Sequence, residues 1–246
     1  MTEAGMAGEA SKQAQKPLAG VRVLEFGQFA AGPYATLLLG DWGADVVKVE
    51  PPGGESLRGW PPMVSGPDGQ YSLNFASVNR NKRSIVLDLK DEKSQDTAWR
   101  LIENADILLE NYRPGVMRRL GFGYEEASKR NPRLVYCSVS GYGQTGPYAQ
   151  RGAFDVAVQG MSGMMSVTGE REGPPAKCGV PVADFGTATM AALACVVALR
   201  SAEQTGTVVH ALDGGTADER VLGDGHGACP TGLGPSSQCS LPGLPR

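Results

Sequence analysis

Two apolar runs separated by one short helix-patterned segment constrain this chain most. Val21-Arg22-Val23-Leu24-Glu25-Phe26 reads as a buried strand. The pattern from Gly32 to Trp42 predicts a helix, with Pro33 in its first turn, where a missing N–H is harmless. Ala44 to Glu50 reads as a second strand, ended by Pro51-Pro52-Gly53-Gly54. Strand, helix and strand at this spacing make a βαβ unit, which builds a parallel sheet with a right-handed crossover.

The alternation continues. Residues 51–70, rich in Pro, Gly and Ser, read as a loop. Further strands are predicted at Ser84–Leu89, Asp106–Glu110 and Leu134–Val139. Helices are predicted over residues 92–103, 113–119, 124–130, 154–165 and 186–200. The expected fold class is α/β, a doubly wound, mostly parallel, Rossmann-like sheet. The loop Gly141–Pro147 follows the last strand at its C-terminal end, where open α/β sheets bind ligands, so Gly141 is a candidate pocket residue.

Composition narrows the chemistry. Net charge is −3, which argues against nucleic acid as a partner. The longest apolar stretch, Met190 to Leu199, falls short of the ~18 residues of a membrane span. Five cysteines without a CxxC spacing suggest reduced thiols and a cytoplasmic setting, with no metal site. Residues 1–17 read as a disordered tail and residues 18–207 as the folded domain. Residues 208–246, with eight glycines and four prolines, read as an aberrant and disordered tail.

Residues 1–209 contain no histidine, since His210 and His226 both lie in that tail. Ser-His-Asp, Cys-His and His-ligated zinc chemistry are therefore excluded from the domain, which leaves carboxylates. Asp184, between the run Gly179–Ala183 and a small-residue helix pattern, is the best placed of them. Two readings fit it: a helix N-cap or a reacting carboxylate. The turn Gly27-Gln28-Phe29-Ala30-Ala31-Gly32 lacks the middle glycine of a dinucleotide fingerprint, which ranks an NAD-dependent oxidoreductase low.

Several stretches in order resemble the class III CoA-transferases. They are Val23–Phe26 with Ala31-Gly32-Pro33, Gly43–Glu50, Asn79–Ile85, Asp106–Gly115 with Leu120-Gly121, Asn131–Tyr136, Ser140–Pro147, Thr168-Gly169 and Ala183-Asp184. The resemblance implies an acyl-CoA:carboxylate CoA-transferase. Its substrates would be an acyl-CoA and a small carboxylic acid, with no permanently bound cofactor and Asp184 as the nucleophile. It implies CoA contacts from Ala30 and Ala31 in a small-residue turn, from the cations Arg80, Lys82 and Arg83, from Asn111, and from Arg119. The bland reading of the cations is a solvated charged loop, and that of the turn is tight helix–strand packing. Phe154 stands where the related α-methylacyl-CoA racemases carry their histidine base, so racemisation is disfavoured and Phe154 is expected to wall the acyl pocket.

The resemblance also implies an intertwined homodimer with a smaller second domain. Recognisable text stops near Thr205-Gly206-Thr207, which suggests a truncation or frameshift with that domain missing. The alternative function is then a non-catalytic CoA-binding remnant.

Overall fold

The computed structural model describes residues 16–67 and 69–205; the two predicted tails lie outside these apart from Lys16 and Pro17. The βαβ unit forms as strand β1 (Arg22–Phe26), helix α1 (Ala31–Asp41) and strand β2 (Asp45–Glu50). A 3-10 turn (Ser56–Gly59) and an antiparallel hairpin, β3 (Met63–Gly66) with β4 (Gly69–Ser72), follow, then α2 (Leu73–Asn79) and β5 (Lys82–Val86). Next come α3 (Glu92–Glu103), β6 (Ile107–Glu110), α4 (Val116–Arg119), α5 (Tyr124–Arg130) and β7 (Val135–Ser138). Helices α6 (Asp155–Met161) and α7 (Val182–Thr205) complete the described chain.

The main sheet runs in the order β5-β2-β1-β6-β7, and all four pairings are parallel. Strand neighbours alternate their cover. Ile107 and Leu109 of β6 join Val23, Val46, Val135 and Cys137 beneath α1 and α7, while Leu108 joins Leu24, Phe26 and Val49 beneath α3 and α5. This is the doubly wound α/β architecture, with strands buried on both faces. The chain winds from β1 towards β5, then returns to lay β6 on the other side of β1. That reversal is the sheet's switch point, and the crevice it opens faces the C-terminal ends of β1 and β6.

Several expectations shift. The strand predicted at Ser84–Leu89 lies at Lys82–Val86, because Val46 pairs with Lys82 and Glu50 with Val86, and Leu87 only donates one last bond to the Glu50 carbonyl. The loop 51–70 contains the 3-10 turn and most of the hairpin. The helix expected over 154–165 is split into α6 and a 3-10 turn, Met164–Val167, around Gly160, Ser162 and Gly163, which propagate a helix poorly.

Helix α7 extends well beyond the predicted 186–200 and is long and apolar enough, by length and composition, to cross a membrane. Its hydropathy has a local cause. Ala188, Ala191, Ala192, Cys195 and Ala198 are buried against α1 and the sheet, and such small side chains let the helix approach closely.

Candidate functional site

A cavity of about 330 Å³ opens at the switch point. Its floor is the turn after β1, where Gln28, Phe29, Ala30 and Ala31 line it. Asn111, one residue past β6, holds that turn: it accepts from the Gln28 amide at 2.7 Å and donates to the Gln28 carbonyl at 2.8 Å. Gly32 lets the two segments come this close, since a Cβ there would lie 2.9 Å from Asn111 Cγ.

The turn is fastened from below by buried charges. Lys48 Nζ sits 2.7 Å from Glu25 Oε1, from Glu55 Oε2 and from the Gly27 carbonyl oxygen. Glu55 Oε1 in turn accepts from the Phe29 amide at 2.6 Å. Phe29 has φ +60, a left-handed conformation that non-glycine residues seldom adopt, and its ring meets Trp60 and Phe154 edge-on. Glu55 and these rings hold Phe29 in that conformation at the cavity wall.

The opposite wall comes from three later segments. Val139, Ser140 and Gly141 follow β7; Arg151 to Phe154 lead into α6; Ala183, Asp184 and Thr187 belong to the start of α7. Gly141 is pressed against this second segment, as a Cβ added there would lie 2.0 Å from Ala153 Cβ. Asp184 occupies the first turn of α7 and is half-buried. It is not the N-cap, because the helix already begins at Val182. Burial first, and the Asp155 carboxylate second, raise its carboxyl to about 6.

Of the residues singled out in the sequence, Asp184, Ala30, Ala31, Asn111, Gly141 and Phe154 line this one cavity. The four cations do not. Lys82 is committed inward: its side chain is only 2% exposed, and Nζ lies 2.8 Å from Glu25 Oε2 and donates to the Pro33 carbonyl and to Asn79 Oδ1. Burial pulls its pKa down to about 8 against the pull of Glu25. Arg80 pairs with Asp41 and Arg83 with Asp45, both on the exposed surface. Arg119 is exposed at the end of α4. The cations that do reach the cavity are Arg113 and Arg151.

Sequence reasoning missed Asp155 and Gln159. Asp155 Oδ1 accepts from the Ala183 amide at 2.9 Å and from the Asp184 amide at 3.3 Å, and Gln159 Nε2 donates to Asp155 Oδ2 at 2.6 Å. No local pattern marks a contact across 28 residues.

The sequence model of CoA-transferase family III matches residues 18–211. The chain is 45% identical over 198 residues to a succinate–glutarate CoA-transferase of Agrobacterium fabrum, covering 79% of this chain and 50% of that protein. It is 45% identical over 196 residues to an acetyl-CoA:oxalate CoA-transferase of Acetobacter aceti, covering 79% and 49%. Among solved structures, a CAIB/BAIF family protein from Brucella suis superposes with a TM-score of 0.77 at 38% identity, covering 81% of this chain and 52% of that one. The hypothetical protein Rv3272 from Mycobacterium tuberculosis gives 0.72 at 36% identity, covering 80% and 54%. The chain spans about half the length of the curated relatives it matches.

Proposed function

The chain belongs to CoA-transferase family III, and from that membership we propose that it moves CoA from an acyl-CoA thioester to a carboxylic acid, with Asp184 as the nucleophile. The observation that carries this reading is the placement of Asp184 on the wall of the switch-point cavity, in the first turn of a 24-residue helix.

The chemistry follows from that placement. A carboxyl held at about 6 is ionised at neutral pH without any general base, yet its oxygen is more basic than that of a free aspartate. It attacks the thioester carbonyl carbon; the C–S bond breaks and CoA leaves as thiolate. The product is a mixed anhydride between Asp184 and the acyl group. The thiolate then attacks the aspartyl carbonyl, releasing the donor acid and leaving CoA on Asp184 as a thioester. The acceptor carboxylate attacks that thioester, and the returning thiolate takes its acyl group, which frees Asp184. Each step exchanges one leaving group for one nucleophile, so no redox partner or metal is required by the balance.

The anhydride must be kept from water. Phe29, Phe154 and Val158 supply apolar wall for that. Phe154 offers no proton-moving group, which favours transfer over racemisation. Arg113 and Arg151 offer positive charge to the phosphates or to an acceptor carboxylate. Relatives named for succinate, glutarate and oxalate support a small dicarboxylic acid as the acceptor class. A homodimer is supported by the row Met190, Leu193 and Val197, which leaves apolar side chains of α7 more than half exposed. A cytoplasmic setting is supported by Cys137, Cys178 and Cys195, which are joined in no disulfide among the described residues.

The test is covalent. Incubation with succinyl-CoA, quenching with hydroxylamine and peptide mapping should place a hydroxamate on Asp184 of the parent and none on Asp184→Ala. Bound CoA with Asp184 unmodified would replace the transferase by a CoA-binding protein.

A further inference from the structure

The first turn of α7 has an unusual need. Helices leave their first amide N–H groups without intrahelical partners, and a Ser, Thr, Asp or Asn at the cap normally accepts from them. Here the residue before the helix is Pro181, whose side chain has no acceptor. The acceptor comes from elsewhere: Asp155 Oδ1 takes both the Ala183 and the Asp184 amides. The other oxygen, Oδ2, is held by Gln159 Nε2, and Gln159 is fully buried. The amide oxygen of Gln159 accepts from the Cys178 N–H at 2.8 Å. One carboxylate and one amide of α6 thus pin both ends of the Cys178–Asp184 segment. Asp155 is not among the cavity-lining residues.

We infer that Asp155, supported by Gln159, is the positioning residue of this site: it caps the helix that carries Asp184 and sets that carboxyl's orientation from behind the cavity wall. The role in catalysis rests on the transferase reading above; the clamp itself does not. Asp155 is the one charged group on α6 that faces Asp184. The other charged or titratable side chains around the cavity are Tyr112, Arg113 and Arg151, and Tyr34 of α1 packs its ring on Phe185. Of all these, only Asp155 adds to burial in lifting the Asp184 carboxyl.

The experiment exchanges charge while keeping shape. Asp155→Asn alone presents an amide N–H to the Gln159 amide N–H, or turns its oxygen away from α7, and breaks the network. The double variant D155N/Q159E restores every donor–acceptor pair, with the negative charge moved to residue 159. Two readouts are taken: the Asp184 titration midpoint by carbon NMR of its carboxyl in the CoA-free protein, and the rate of succinyl-CoA adduct formation against pH. The single variant is expected to form adduct at least about tenfold more slowly. The double variant is expected to recover most of that loss, with the Asp184 midpoint and the acid limb of the rate profile both displaced from those of the parent.

An unchanged midpoint together with an unchanged rate in both variants overturns the inference. So does rapid hydrogen exchange at the Ala183 and Asp184 amides of the parent, a measurement that needs no variant to fold. A parent that forms no adduct but whose Asp184 midpoint moves on exchange would sink the transferase reading and leave the clamp standing.

Discussion

Asn111 and Gln28 are joined by two hydrogen bonds across the reversal of the sheet, the side-chain amide of one reading both the N–H and the C=O of the other. The pair ties the end of β6 to the turn after β1, which are 83 residues apart in sequence. Replacing Asn111 with Ala strands both backbone groups in a half-buried place. We expect a loss of about 1–3 kcal/mol in urea denaturation, and weaker CoA binding by calorimetry because the floor of the cavity loosens. Asn111→Asp should be intermediate in stability, since it keeps the acceptor for the Gln28 amide.

Lys82 and Arg83 are neighbours in sequence with opposite settings. Lys82→Met leaves Glu25 with Lys48 as its one remaining cation among the described residues, beside the Thr36 hydroxyl, and opens a buried ion cluster, which is expected to cost about 3–5 kcal/mol. Arg83→Ala removes a pair in which both side chains are at least half exposed, and should cost under about 1 kcal/mol. Chemical denaturation of the two variants side by side checks the contrast.

That contrast also shows where the sequence was readable. The βαβ unit was legible because buried apolar runs and the Pro51–Gly54 stop mark it, and α3 because an amphipathic, helix-forming run follows the capping Asp91. The hairpin Met63–Ser72 was not, since most of its side chains face solvent and carry no apolar alternation. Asn79–Arg83 looks like one basic cluster, but the strand pleat and the bend after α2 send its cations to different places. Asp184 stood out by its flanking residues. Asp155 did not, because its purpose depends on a contact made only when α6 meets α7.

The raised Asp184 carboxyl predicts two pH effects. If Asp184 is the nucleophile proposed above, adduct formation should fall about tenfold per pH unit below about 6, where its carboxyl is protonated. Stability should move the other way. A carboxyl whose folded pKa exceeds its unfolded value near 3.8 destabilises the fold when ionised, and that penalty is relieved as pH falls from about 6 towards 3.8. Asp184→Asn is therefore expected to be more stable than the parent at pH 8 by about 1–2 kcal/mol, allowing for solvent on its open side, with the difference gone by about pH 4. Thermal unfolding across pH reads this directly.

Glu50 carries the opposite sign. Burial opposes its ionisation, but Arg58 at 2.6 and 2.7 Å, together with Ser84 and the Glu55 amide, brings it down to about 2. Its contribution is present above pH 4.5 and is lost as pH falls towards 2. Glu50→Gln should be less stable than the parent at pH 7 and indistinguishable from it near pH 2 by circular dichroism.

Gly141→Ala tests the closeness of the cavity walls. The new methyl would meet Ala153 at 2.0 Å, so the segment before α6 must retreat. We expect a measurable drop in adduct formation with little change in the Asp184 midpoint, because Asp155 and Gln159 belong to α6, anchored on α7, and not to the segment that retreats.

Helix α7 joins two features in one rigid rod: the cavity-lining carboxylate Asp184 in its opening turn and, further along, a flank of alanines pressed to the sheet. A bulkier residue at Ala192 or Cys195 would lever the far end and displace the carboxylate without touching the cavity. Room to reshape the cavity therefore lies in the loops opposite the rod, while the packed alanine face leaves no space for larger side chains.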